Sequence, residues 1–144
     1  MSLASDIAVF VQKLDAAIDG AMQGPVLDGA KEMIQRTAMT QVYSYQPEFD
    51  SRRMSSGGLI DEANLQGAYG DKELTIYNIA DWQQLYGGAY PAEDLAEAIA
   101  SGDSRFHFQN AGPRSFMPEA ERDFAPEFER LIGDSLRAAG FKIR

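Results

Sequence analysis

The sequence predicts an α+β domain in which a small, largely antiparallel sheet is covered by a long helix and a C-terminal helix. Three observations predict it. Apolar residues recur at three- and four-residue spacing near both ends of the chain, the mark of helices with one buried face. Between them, residues 62–80 alternate apolar and polar about a Gly70-Asp71-Lys72 step, the mark of a β-hairpin. The 144 residues are 44% apolar and 24% charged, which suits one domain over residues 1–144 with one core.

Taken in order, the first element is an N-terminal helix over residues 5–19. Ser5 is its expected cap, Ile7, Phe10, Val11, Leu14 and Ile18 form a narrow stripe, and Gly20 stops it. That stripe packs on its own domain or docks on a neighbouring subunit. Gly24-Pro25 is expected to open a second, longer helix, because proline suits a first turn. Its face is Leu27, Ala30, Ile34, Ala38, Val42 and Tyr45, broadened by Met33 and Thr37, and its width suits a helix laid across a sheet.

An extended arm follows over residues 43–58. Pro47 cannot continue a helix, and Gly57-Gly58 permits a sharp turn. Tyr43, Tyr45 and Phe49 are large groups that a floppy linker would lack. In the hairpin, Ala63, Leu65, Gly67 and Tyr69 share one side of the first strand. Leu74, Ile76 and Asn78 oppose Thr75, Tyr77 and Ile79 in the second. An isolated two-stranded ribbon is marginal, so it must pack on a helix or gain strands. Arg105-Phe-His-Phe-Gln109 is a candidate third strand, preceded by a loop bearing Trp82, Tyr86 and Tyr90 and a short helix from Pro91 to Ser101. The last helix opens at Arg114-Ser-Phe-Met-Pro118, and Ala120, Phe124, Phe128, Leu131, Ser135, Leu136 and Ala139 carry its stripe. The stripe survives Pro126, which predicts a kink rather than a break. Gly140 ends the helix, and Phe141-Lys-Ile143 is a candidate closing edge strand.

The chemistry is sparse. With no cysteine and one histidine, His107, neither a disulfide framework nor a thiolate metal site is available. Nucleophile elbow, Walker loop, dinucleotide fingerprint and zinc-helix motifs are missing. The reading is therefore not an enzyme, with no cofactor and no metal. Asp61, Glu62, Asp71 and Glu73 near the hairpin leave a metal-dependent hydrolase as an alternative. No apolar run reaches membrane-spanning length, and no secretory signal pattern opens the sequence. The net charge of −9, from 22 acidic and 13 basic residues, is spread along the chain and argues against a basic nucleic-acid groove. It leaves open an acidic adaptor that binds host proteins.

The arm carries a family resemblance. Tyr43-x-Tyr45-x-Pro47-x-Phe49-x-x-Arg52-Arg53, then Gly57-Gly58-Leu59-x-Asp61 and Asn64-Leu65, resembles the tail-component and head–tail joining proteins of long-tailed bacteriophages and of prophages. The order continues through Thr75-Ile-Tyr-Asn-Ile79, Tyr86-Gly-Gly88 and Arg114-Ser-Phe-Met117, so it spans roughly Pro25 to the C-terminus. The resemblance implies a structural virion-morphogenesis subunit, acting in tail completion or head–tail joining. Such a subunit works in a homo-oligomeric ring, a hexamer, with other phage neck or tail proteins as partners. DNA is then passing cargo without specific binding, and there is no membrane partner. The location is the virion neck or tail, and the bacterial cytoplasm during assembly. Interface residues follow by matching: Tyr43, Tyr45, Pro47, Arg52, Arg53, Gly57, Gly58, Leu59 and Asp61, with Phe49 standing where the pattern has tyrosine. If DNA crosses the ring, Glu93, Asp94 and Glu97, or Glu119, Glu121, Glu127 and Glu129 of the last helix, are candidates for a phosphate-repelling wall.

Overall fold

A computed structural model describes residues 2–43, 60–79 and 116–143, and these form an α+β unit built on one long helix. Helix α1 (Leu3–Ala21) passes through a π-helical segment (Met22–Val26) into α2 (Leu27–Ala38) and a second π-helical segment (Met39–Tyr43). The junction residues Ala21, Met22, Val26 and Leu27 all have right-handed helical backbone angles, so the chain never leaves the helix. Leu3 to Tyr43 thus makes one rod of roughly 60 Å.

The expected break at Gly20 and Gly24-Pro25 is not there. Proline removes a donor and crowds the carbonyl four residues back, and the wider π turn around Pro25 accommodates both. Burial of Ala21, Met22 and Val26 across the junction holds the helix together against the local breakers. The cap is likewise Ser2 rather than Ser5: the Ser2 hydroxyl accepts from the Ser5 N–H at 3.2 Å. Gly20 lies in an exposed helix interior with open space around its α-carbon. Gly20→Ala is therefore expected to stabilise the protein by about 0.5–1 kcal/mol in urea unfolding. A helix-terminating Gly20 would give the opposite sign.

Helix α3 (Phe116–Ala138) runs antiparallel to this rod. Gln41 donates to Glu119, Gly29 lies against Phe124 and Leu131, and the Phe10 ring meets Phe141 edge-on at 5.7 Å. Ala30, Ile34, Thr37 and Ala38 of α2 are buried, as are Phe116 and Ala120 of α3. Gly29, with the small buried Ala30, Ala38 and Ala120, lets the two backbones approach closely. Helix α3 is continuous through Pro126. It closes on a Schellman motif: Gly140, at φ 97°, donates to the Arg137 carbonyl, and the Phe141 N–H donates to that of Leu136, each at 3.0 Å. Residues 141–143 are not a strand. The motif turns Phe141 back onto Phe10, where it is held by a ring contact instead of a ladder.

Strands β1 (Leu65–Gly70) and β2 (Glu73–Asn78) form the antiparallel hairpin. Asp71 and Lys72 both have positive φ, 51° and 62°, as a two-residue I′ turn requires. The register pairs Leu65 with Asn78, Gly67 with Ile76 and Tyr69 with Leu74, which brings these residues onto one face of the hairpin. Residues 62–64 form a 3₁₀ turn rather than the start of the strand. The candidate strand at 105–109, the loop aromatics, the short helix from Pro91 and His107 lie outside the described residues.

Candidate functional site

The hairpin and the turn before it meet the rod at three points along its length. Gln35 Nε2 donates to the Ile60 carbonyl at 2.8 Å. About two turns nearer the N-terminus, the Gly67 α-carbon faces the Leu27 side chain so closely that an added β-carbon would stand 2.7 Å from it. At the far end, Asp19 Oδ1 accepts from the Tyr69 hydroxyl at 2.5 Å and from Lys72 Nζ at 2.6 Å, with Asp15 3.7 Å from the same ammonium. Asp15, Asp19, Leu27 and Gln35 all belong to the rod, so one continuous helix supplies all three contacts.

The Gln35 contact positions the base of the arm. The rod carries the chain to Tyr43, and the chain is described again at Ile60, whose carbonyl is held by Gln35. The two ends of the 44–59 stretch are thus anchored to the same helix, about two turns apart. Asp61 then caps the 3₁₀ turn by accepting from the Ala63 N–H at 3.0 Å, which sets the direction in which the chain enters β1. Of the matched interface residues, Tyr43 ends the rod and Asp61 forms this cap. Tyr45, Pro47, Phe49, Arg52, Arg53, Gly57, Gly58 and Leu59 lie outside the described residues.

The Asp19–Tyr69–Lys72 tie is charge-assisted and partly open to solvent. Lys72, then Tyr69, hydrogen-bond the Asp19 carboxylate and hold its pKa below the ordinary value. The same contacts with Asp19 raise the Tyr69 and Lys72 pKa values. A depressed carboxylate stabilises the fold fully above its unfolded value of about 4 and loses that contribution as pH falls through the lower folded value. Raised Tyr69 and Lys72 contribute below about pH 10 and lose their contributions as pH rises through their folded values. Asp19→Asn is accordingly expected to lose stability at neutral pH. The gap from the parent should close as pH falls below about 4, read as denaturation midpoints across the acid range.

Charge on α3 is mixed rather than uniformly acidic. Arg122 pairs with Glu119 at 3.4 Å, and Arg130 pairs with Glu127 and, at 3.1 Å, with Asp134. Arg137 meets Asp134 at 3.2 Å. Two of the four α3 candidates for a repelling wall, Glu119 and Glu127, therefore face arginines of their own helix. Among the described residues no three His, Cys, Asp or Glu side chains come close enough to hold a metal ion. Nor is any described helix long and apolar enough to cross a membrane.

Sequence reasoning missed the Asp19 tie and the Gln35 anchor. The alternation that put Tyr69 on one side with Leu65 and Gly67 was the one available signal; Asp19 looked like any polar residue beside the stripe. No protein-family model, no curated protein and no solved structure matches the chain. The resemblance to phage tail components therefore rests on the residue order alone.

Proposed function

We propose that this protein is a phage neck subunit, a tail-completion or head–tail joining protein that works as part of an oligomeric ring, a hexamer. What supports the reading, besides the residue order, is the way the arm is mounted. Its ends are fixed to one helix by the end of the rod at Tyr43 and by the Gln35–Ile60 hydrogen bond. A segment based on a rigid rod presents its side chains with less ordering cost on docking than a free tail. Its aromatics and paired arginines are residue types that dominate protein interfaces.

In this role the protein performs assembly rather than catalysis. Arg52 and Arg53 contribute bidentate contacts to carboxylates of the neighbouring subunit, in a chain where carboxylates are in excess. Arg52→Ala/Arg53→Ala is expected to keep its circular dichroism and melting temperature while self-association weakens about tenfold or more. Sedimentation velocity across a concentration series reads the change. Loss of folding in the double variant, or unchanged association, would contradict the assignment.

A further inference from the structure

Helix α1 carries a seam that outruns its own partner. Leu3, Ile7, Phe10, Leu14, Ala17 and Ala21 alternate at four- and three-residue spacing, the a/d pattern of a two-stranded coiled coil. Ala21 is buried, Ala17 and Leu14 are half-buried, and the seam then opens to solvent. Phe10 is 54% exposed, Ile7 53% and Leu3 75%. Among the described residues, Phe141 is the ring that reaches this end, and it leaves Phe10 more than half open.

We propose that this free end pairs with α1 of a second copy of the chain in antiparallel orientation, centred between Ile7 and Phe10. The flanking charges select that arrangement. Asp6 and Lys13 occupy the positions just before the core residues Ile7 and Leu14. In an antiparallel pair these positions face each other, so Asp6 of each copy meets Lys13 of the other. In the same register Phe10 packs on Ile7 of the other copy, Leu3 on Leu14, and Ala4 faces Val11. Val11 is itself 46% exposed. Sliding by one heptad sets Asp6 against Asp6 or Lys13 against Lys13. A parallel pair sets Asp6 against Val11 and Lys13 against Ile18, with no charge pairing. One alignment thus satisfies both the seam and its flanks.

The contact is isologous: it closes on itself and yields a dimer, not a ring. It stands independently of the neck assignment. The experiment measures the mass of the full chain by sedimentation equilibrium, in parent and Arg52→Ala/Arg53→Ala backgrounds, the second removing arm-mediated assembly. A dimer is expected in the second background at about 100 μM. Asp6→Lys and Lys13→Asp should each raise the dimer Kd about tenfold, because both symmetric pairs turn from attractive to repulsive. The double exchange should restore it, and an equimolar mixture of the two single variants should form a heterodimer. Both positions of the charge test are on exposed helix surface, and circular dichroism verifies that each variant folds. A monomer at that concentration overturns the proposal. So does a dimer indifferent to the charge exchange, which would place the contact elsewhere or in another orientation.

Discussion

Replacing Phe116 by alanine is expected to cost about 3–5 kcal/mol, the usual range for emptying a fully buried aromatic site. Phe116 is wholly inaccessible to solvent and is, with Leu65 and Val26, among the largest fully buried side chains of the described residues. It stands at the first position of α3, one turn before buried Ala120, where that helix meets the end of α2. Burial there fixes the start of the antiparallel helix pair, so the loss should spread beyond one cavity. In a chain of this size the melting temperature should fall by roughly 10 °C. The variant should also show amide exchange increased first in residues 116–123. A cost below about 1 kcal/mol would mean that Phe116 is not a core residue.

Filling the close approach at Gly29 gives the second large effect. A β-carbon there would stand 2.8 Å from Leu131 Cδ1 and 3.3 Å from the Phe124 ring, so α2 and α3 meet at a position with no room for a side chain. Alanine gains helix propensity of about 1 kcal/mol, which offsets much of its crowding, because a leucine methyl can shift. Leucine cannot be accommodated in this way. Gly29→Leu is expected to destabilise by about 1–3 kcal/mol. Adding Leu131→Ala should recover part of that loss, since the two sites share one space. Additive losses in the double variant would contradict the described packing of α3 on the rod.

The periodic parts of this fold were legible in the sequence, and the parts decided by distant residues were not. Alternation grouped Leu65, Gly67 and Tyr69 on one side of the first strand and Leu74, Ile76 and Asn78 on one side of the second, and the register brings the two sets onto one face. The stripe of Ala30, Ile34 and Ala38 marked a buried helix face, and Gly140 marked the stop of the last helix. Local rules misled where tertiary packing overrode them. Gly20, Gly24 and Pro25 are breakers by propensity, yet burial of Ala21, Met22 and Val26 on both sides of them favours one rod. Phe141 and Ile143 alternate like a strand, but the Schellman turn directs Phe141 to a ring partner more than a hundred residues away in sequence. Asp19 is tied to Tyr69 and Lys72 across some fifty residues, a contact no local pattern encodes. For the interface residues, the rod places the chain up to Tyr43 and the Gln35 anchor places it at Ile60, while residue type supplies the chemistry of those between.

Particle symmetry tests the proposed ring in which the arm joins neighbouring subunits. Purified wild-type protein and the Arg52→Ala/Arg53→Ala variant would be imaged by negative-stain electron microscopy at matched concentration, with rotational symmetry averaged without imposed order. Closed rings of sixfold symmetry are expected for the wild type, and their loss in the variant, which keeps its fold. Wild-type particles that are only monomers or twofold dimers, or rings that persist unchanged in the variant, would contradict it.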